Sequence, residues 1–196
     1  MGSTSVTADN SMSLSAFYAC VKILSEDIAS MPLSVMRRVG DRIERADDHP
    51  VHELIAHSPS KLYSSFDFRS AIMAHANIRG NGYAYIRTRP TDGRIVEFEI
   101  LEHPESVSIE TVSRTDGSRD LIYIYRPAGK DSKRVFNSDE IIHIKNITTD
   151  GVVGLSTVAT LRKTLGEAIN TLKYGNDFYQ NGARLTGVIE VPQKLD

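Results

Sequence analysis

The sequence predicts an α+β fold in which helices at both ends of the chain flank a meandering antiparallel β-sheet. Apolar residues recur at helical spacings near both ends, whereas between residues 83 and 147 they alternate with a period of two. Asp-Gly turn signals separate several of the alternating segments, as short connections between antiparallel strands require. With 196 residues, 40% of them hydrophobic, the chain has material for a sizeable core in one large domain or two small ones.

The first helix is predicted to begin at Ser13, its N-cap, and to end before Pro32. Its apolar residues fall at spacings of three and four, which places them on one stripe that is either a core face or an interface. The stripe consists of Leu14, Phe17, Val21, Leu24, Ile28 and Met31. Its period also suits packing along another helix.

A β-hairpin is expected next, with one strand at residues 33–37, a turn at Val39-Gly40-Asp41 and a second strand through Ile43. Pro50 suits the first position of a short helix, with Asp48 as its cap. The small apolar face of that helix consists of Val51, Leu54 and Ile55.

A third helix is predicted to open at Ser64 or Ser65 and to close at Gly80, a left-handed cap. Its buried side carries Phe68, Ile72 and Ala76. Period-two strand segments follow at residues 83–86, 95–101, 107–112, 121–125 and 141–147. Asp92-Gly93 and Asp116-Gly117 are predicted to be hairpin turns, because Asp-Gly readily supplies the positive φ that such turns need.

The last helix is predicted to run from Gly154 to Asn181-Gly182. Its broad apolar face consists of Val158, Leu161, Leu165, Ala168, Ile169, Leu172 and Phe178. Gly166 and Gly175 lie inside it, and since an interior glycine costs about 1 kcal/mol against alanine, they indicate close approach of another backbone, from the first helix or a neighbouring subunit. A strand-like segment at residues 186–191 then needs its edges and apolar face covered, so we expect the chain to be the front part of a longer protein.

Composition argues against strong binding to nucleic acid or to an anionic membrane. Lys+Arg 23 against Asp+Glu 25 gives a net charge of −2, and the basic clusters are short. Cys20 is the sole cysteine, so the chain forms no internal disulfide, and a reducing compartment fits. We find no signal peptide and no apolar run long enough for a membrane span. Residues 1–12 are expected to be a disordered arm or residues added by cloning, and residues 13–196 a single domain.

The residues show no catalytic, cofactor or metal constellation. His49, His52 and His57 form the densest histidine cluster, but their spacing does not match zinc motifs, so surface or capping roles are expected. Cys20 is expected to pack within its helix, without a neighbouring base. Further along, Glu97 and Glu99 are expected to be solvated on one strand face, and His143 to be exposed or hydrogen-bonded. The Gly151-Val152-Val153-Gly154 segment lacks the Gly-Lys-Ser/Thr ending of a phosphate loop.

Short motifs, in order along almost the whole chain, resemble the portal proteins of tailed bacteriophages, in the long-tailed branch with a lambdoid-like head. The first are Tyr18-Ala19-Cys20-Val21-Lys22-Ile23, Ile28-Ala29-Ser30-Met31-Pro32-Leu33, Asp48-His49-Pro50, Phe66-Asp67-Phe68-Arg69 and Arg79-Gly80-Asn81-Gly82-Tyr83-Ala84-Tyr85. The later ones are Asp139-Glu140-Ile141-Ile142-His143-Ile144, Gly151 with Gly154-Leu155-Ser156, Thr164-Leu165-Gly166, Tyr174, and Phe178 through Asn181-Gly182-Ala183. Each motif alone is weak, but the collinear set is specific. Thr157 departs from the family, which often has proline there.

The resemblance implies the wing-like region of a portal subunit, without the stem, clip and crown parts. It implies a structural, non-enzymatic role in a homo-oligomeric ring, usually of twelve subunits, at one capsid vertex of the virion. Double-stranded DNA is packaged and ejected through such a ring without sequence specificity. The implied partners are the terminase motor, the capsid and head–tail connector proteins, with the host cytoplasm as the place of assembly and no membrane involved.

A closed ring needs a head-to-tail contact between two different surfaces of the subunit. The candidate interface residues lie on the stripes of the first and last helices: Phe17, Val21, Leu24, Ile28, Leu165, Ile169 and Leu172. Packing into the domain's own core is the competing interpretation of both stripes. Two alternative functions stay open, namely the N-terminal part of a phage-derived enzyme whose catalytic residues follow Asp196, and a protein-binding module that uses a sheet edge.

Overall fold

A computed structural model of the chain describes residues 5–115, 117–127, 133–180 and 182, and it confirms the α+β class with antiparallel strands. The helices are α1 (Ala8–Ser11), α2 (Ser15–Ser30), α3 (His52–Ala56), α4 (Ser65–Arg79), α5 (Thr157–Thr160) and α6 (Arg162–Gln180). The strands are β1 (Met36–Val39), β2 (Arg42–Arg45), β3 (Asn81–Thr88), β4 (Ile95–Ile100), β5 (Val107–Ser113), β6 (Arg119–Tyr125), β7 (Arg134–Asn137) and β8 (Ile141–Lys145).

The strands divide into three antiparallel groups instead of running as one meander. β1 and β2 form the predicted hairpin, β3 lies between β4 and β8, and β6 lies between β5 and β7. The turn at Asp92-Gly93 joins β3 to β4 as predicted, whereas Asp116 of the other predicted turn lies outside the described residues. The short strand β7 was not predicted, because its four residues are too few to show a period.

β3 separates two apolar cores because its successive side chains point to opposite faces. Tyr83 points toward the second three-stranded sheet and packs with Tyr123 and Phe136. Ala84 points the other way, toward Phe68 and other residues of α4. The layers are therefore α2, α4, the sheet centred on β3, and the sheet centred on β6.

α4 forms as its sequence predicts, with a cap at each end. The Ser64 hydroxyl accepts a hydrogen bond from the backbone N–H of Asp67 at 3.2 Å, and the Asp67 carboxylate accepts one from the N–H of Ser64 at 3.2 Å. This reciprocal pair satisfies two of the N–H groups that a helix start leaves open. Gly80 closes the helix in the left-handed conformation, with φ of 89°.

Residues 5–12, the described part of the arm expected at residues 1–12, include a short capped helix. Thr7 and Asn10 cap each other's backbone N–H groups, and α1 follows with Ser11 buried. Ser13 is not the N-cap of α2, since its hydroxyl donates to the Asn10 carbonyl at 2.6 Å. Leu14 occupies the N-cap position without a side-chain hydrogen bond.

One further predicted cap does not form, and within the described residues no other backbone approaches Gly166 or Gly175; approach by a neighbouring subunit stays a prediction. Val51 is the N-cap of α3, and Asp48 instead pairs with Arg37 at 3.0 Å. Gly166 lies close to a side chain, since a Cβ there would be 3.3 Å from Val6 Cγ2, and Gly175 has open space beside it. The predicted last helix is divided at Leu161 into α5 and α6, and the predicted strand at residues 186–191 lies outside the described residues.

A buried polar junction connects the end of α4 to the loop before α5. The Asn81 amide donates to the Gly154 carbonyl at 3.0 Å and accepts from the Gly154 N–H at 2.8 Å, and the Gly80 carbonyl accepts from Asn146 N at 2.9 Å. The loop itself is held by Asp150, whose carboxylate accepts the N–H groups of Val153 and Val152 at 2.8 Å each. These bonds lower the pKa of Asp150 to about 2.

The junction leaves no room for a side chain at Gly154. A Cβ there would lie deep inside van der Waals contact with the Gly80 carbonyl oxygen and 2.9 Å from Asn146 N. Both of these are backbone atoms, so neither yields without moving β3 or β8. We therefore expect Gly154→Ala to reduce the free energy of unfolding by about 3 kcal/mol or more.

The matched control is Gly175→Ala in α6, where no atom of the described residues outside the helix's own backbone lies within 4 Å of the added Cβ. Alanine favours the helix there, so this variant should be about 0.5–1 kcal/mol more stable than the wild type. Urea unfolding followed by circular dichroism measures the free energy of unfolding of both variants and of the wild type. Equal midpoints for the two variants would contradict the close approach at Gly154.

Candidate subunit-interface surfaces

α2 buries a different face from the one that its apolar spacing predicts. Val21 is buried together with Ser25 and Ala29, which lie one and two turns further along and face α4. Leu24 and Ile28 are 56% and 41% exposed. Phe17 is half-buried against the cluster around Leu14.

Small side chains explain why α2 turns this face inward. Ser25 and Ala29 let the backbones of α2 and α4 approach, and the Asn77 amide of α4 donates to the Ser25 hydroxyl at 3.2 Å. The larger side chains of Leu24 and Ile28 are displaced to the outside as a result. Of the four candidate residues on α2, Val21 is thus used within the chain, whereas Leu24 and Ile28 are available to another molecule.

The candidate residues of α6 divide in the same way along the helix. Leu165 is buried with Leu14 and Val158, and Ile169 packs against that cluster. One turn further on, Leu172 is 55% exposed. The first half of α6 therefore anchors the helix to the domain, whereas Leu172 in the second half is more than half exposed.

An apolar groove lies between α2, α3 and α4, and we call it the α2–α4 groove. Its floor consists of Leu54, Ile55, Phe68, Ile72, Phe98, Ile142 and Ile144, and its rim of Ile28, Met31, Leu33, Arg69 and Met73. The enclosed volume is about 370 Å³. An apolar depression of this size that is open to solvent is typical of a binding surface.

Sequence reasoning did not find the groove, because its walls come from five elements far apart along the chain. Met31 was assigned to the helical stripe and Leu33 to a strand, and neither pattern shows which side of the molecule they reach. The rim is fixed by Arg69, whose guanidinium donates to the carbonyls of Ser65 at 3.1 Å and of Met31. That contact ties the end of α2 to α4 at the rim of the groove.

Glu97 and Glu99 are not simply solvated on their strand. Arg87 pairs with Glu97 at 3.5 Å and with Glu99 at 2.7 Å, and Arg134 of the neighbouring sheet pairs with Glu99 at 2.8 Å. Burial acts to raise the pKa of the Glu99 carboxyl, but the hydrogen bonds from Arg134 and Arg87 outweigh it and the pKa lies below its usual value. The network joins the two sheets.

The histidines of the cluster contact one another and nearby polar groups. His52 lies 3.5 Å from Asp47 and edge-on to His57, and His49 Nδ1 accepts from the Val51 N–H. Over the ranges that the structure describes, no group of three or more His, Cys, Asp or Glu side chains could hold a metal ion. Cys20 is exposed, which corrects the expectation of a packed thiol, because α2 turns Val21 inward instead. None of the described helices has the length and apolar character needed to cross a membrane.

His143 is hydrogen-bonded, as expected, and its contacts fix its tautomer. The Asn81 Oδ1 atom accepts from Gly154 N, so the His143 Nε2 atom, 2.9 Å from the same oxygen, carries the proton. Nδ1 is then the acceptor for the Tyr123 hydroxyl at 3.3 Å. Burial, assisted by the positive charge of Lys145, lowers the pKa of His143 to about 4. The ring is thus a neutral structural part of the junction.

Comparison with known proteins gives a consistent picture over most of the chain. A family model described as "Phage portal protein" matches residues 15–196. The chain is 26% identical over 198 residues to the portal protein of Enterobacteria phage HK97, and the match covers 100% of this chain and 44% of that protein. It is 29% identical over 197 residues to the probable portal protein of Streptomyces phage phiC31, with 95% and 41% covered. The chain therefore spans less than half the length of these relatives.

Solved structures share the fold. A chain from the neck of an empty gene transfer agent particle, computed with C6 symmetry, matches with a TM-score of 0.68 at 24% identity, covering 91% of this chain and 49% of that one. A chain from the neck of the native particle, computed with C12 symmetry, matches with 0.67 at 22% identity, covering 91% and 45%. The crystal structure of an HK97 family phage portal protein from Corynebacterium diphtheriae matches with 0.60 at 15% identity, covering 98% and 58%.

The neutral His143 ring makes the stability of the fold depend on pH. Between its unfolded pKa of 6.5 and its folded pKa of about 4, the unfolded chain binds a proton that the folded chain does not. The contribution of this residue is therefore complete above about pH 6.5 and is lost as the pH falls toward 4. Because the ring is partly exposed, we expect a loss of about 1–2 kcal/mol over that range.

The test compares the wild type with His143→Gln by urea unfolding at pH 7 and at pH 4.5. Glutamine keeps a polar side chain at the junction and does not titrate, so the variant should lose less stability than the wild type between the two pH values. Carboxylates titrate in both proteins and cancel in the comparison. An identical loss in the two proteins would show that His143 is solvated in solution.

Proposed function

The chain belongs to the phage portal protein family, and from that membership we propose that it is part of a structural subunit of a portal ring. In this proposal the ring sits at one vertex of the virion capsid and forms the conduit for packaging and ejection of double-stranded DNA. The role is architectural and not enzymatic. The observation that carries the proposal is the match to the portal family over residues 15–196.

A ring contact would explain why large apolar side chains stay outside the core. In the part of the chain that is described, Leu24, Ile28, Met31 and Leu33 are all exposed on or beside α2. Burying one such side chain stabilises an association by roughly 1.5–3 kcal/mol. A cyclic ring repeats each contact once per subunit, so modest contacts add up. The relative from a neck computed with C12 symmetry supports a ring of twelve.

The charge of the chain agrees with a conduit. A protein that grips DNA through many phosphate contacts binds more tightly with each contact, and a ring multiplies the contacts by the number of subunits. The net charge of −2 avoids this attraction. We propose that DNA slides through without sequence recognition, and that the terminase motor, the capsid and head–tail connector proteins bind other parts of the ring. Assembly then takes place in the host cytoplasm.

The proposal predicts closed rings when the portal subunit that contains this chain is purified and viewed by electron microscopy. Replacing Leu24 and Ile28 together by serine should lower the fraction of rings at least tenfold, because two exposed apolar contacts per subunit are lost. The unfolding midpoint should fall by no more than about 2–4 °C, since each side chain is at least two-fifths exposed and neither belongs to a buried cluster.

The control is Leu62→Ser, which changes an exposed leucine on the opposite side of α4 from α2 and should leave the rings intact. Particles that are only monomers or dimers in the wild type would contradict the portal function. Wild-type rings whose yield does not change in the double variant would instead contradict the assignment of Leu24 and Ile28 to the interface.

A further inference from the structure

Two aromatic rings project from the outer side of α6. Tyr174 and Phe178 are one turn apart, with nearly parallel rings whose centroids are 6.4 Å apart, and Tyr174 is 73% exposed. Leu165, which anchors α6 to the domain, lies nine residues before Tyr174. Nine residues are about two and a half helical turns, so Tyr174 points away from the domain to which its helix is attached. Phe178 stacks on Tyr174 and lies on this side too, not on the face of Leu165 to which its spacing assigned it.

The α2–α4 groove has the complementary shape and chemistry. Its floor is apolar, and its rim of Ile28, Met31 and Leu33 is exposed. The volume of about 370 Å³ has room for an aromatic ring and part of a second. Aromatic side chains that enter such a desolvated pocket are the usual anchors of protein interfaces.

Charge favours the same pairing. Asp177 comes directly before Phe178 on α6 and is exposed at the side of the helix near Ser13 and Leu14, and its carboxylate forms no ion pair within the described ranges. Arg69 lies at the rim of the groove, where its Nε and Nη1 atoms donate to the backbone carbonyls of Ser65 and Met31. Its Nη2 atom makes no hydrogen bond within the described part of the chain. An aspartate beside the rings would therefore meet an arginine beside the groove.

We propose that Tyr174 and Phe178 of one copy of this chain occupy the α2–α4 groove of the next copy, with Asp177 beside Arg69. The contact joins two different surfaces, so it is heterologous and repeats around a ring. The proposal rests on the portal function and adds to it which surfaces meet. The alternative, in which α6 covers the groove of its own chain, requires the helix to present its outer side to the domain that holds its inner side.

The contact is small, which decides the choice of experiment. Two aromatic side chains bury up to about 150–250 Å² each, well below the roughly 800 Å² per partner of a stable interface. The pairing is thus one part of a larger ring contact and is weak in isolation. Cross-linking at high protein concentration detects such a contact where sedimentation does not.

The experiment places one cysteine at the groove and one on the outer side of α6. Met31→Cys and Thr171→Cys are combined in a Cys20→Ser background, which leaves both aromatic rings and Asp177 in place. A short bismaleimide should then give a ladder of dimers, trimers and larger species on a denaturing gel. Each single-cysteine variant should stop at dimers, because one reactive site per chain cannot extend a series.

Phe178→Ala, added to the double-cysteine protein, should reduce the cross-linked fraction at least fivefold, and Asp177→Arg should reduce it as well. Leu62→Ala serves as the control for a lost exposed leucine and should leave the ladder unchanged. A cross-link confined to monomers would show that α6 covers its own groove and would overturn the proposal. A ladder that is absent, or that Phe178→Ala does not change, would overturn it too.

The outcome is separate from the test of the portal function. Rings seen by electron microscopy without the ladder would leave the function standing and remove this pairing. A ladder without closed rings would support the pairing and count against the portal function.

Discussion

The close approach of two backbones at Gly80 and Gly154 is the constraint on which the rest of the structure depends. Neither position has room for a Cβ. The Asn81 side-chain amide forms hydrogen bonds with both the carbonyl and the N–H of Gly154. This single contact fixes the positions of three segments: the end of α4, the start of β3 and the loop that leads into α5. The direction of α6 follows from it, because α5 and α6 continue from that loop.

This constraint gives a structural reason for the glycine motifs that resemble the portal family. Gly80-Asn81-Gly82 supplies a left-handed helix cap, a buried amide and a close packing point against the Ile72 carbonyl. Gly154 supplies the matching surface on the loop. Neither segment has the geometry of a phosphate loop, since their N–H groups are directed to partners within the chain.

The surfaces proposed for assembly consist of apolar residues that stay exposed because of the way α2 packs on α4. α2 packs on α4 through Val21, Ser25 and Ala29, and this choice displaces Leu24, Ile28 and Met31 to the outside. A helix that turned its large residues inward would gain more buried area but would lose the close contact and the Asn77–Ser25 hydrogen bond. Of these three, Ile28 and Met31 line the α2–α4 groove, and Leu24 is exposed on α2.

Local patterns in the sequence determined the elements whose signals lie within a few residues. The cap at Ser64, the glycine that closes α4, the alternating strands and the family resemblance were all found in this way, because each depends on neighbours along the chain. Tertiary structure decided which face of α2 is buried, the pairing of β8 with β3, the strand β7 and the groove. These depend on which distant residues fit against one another, and helical spacing alone does not distinguish a stripe that packs inward through small side chains from one that stays outside.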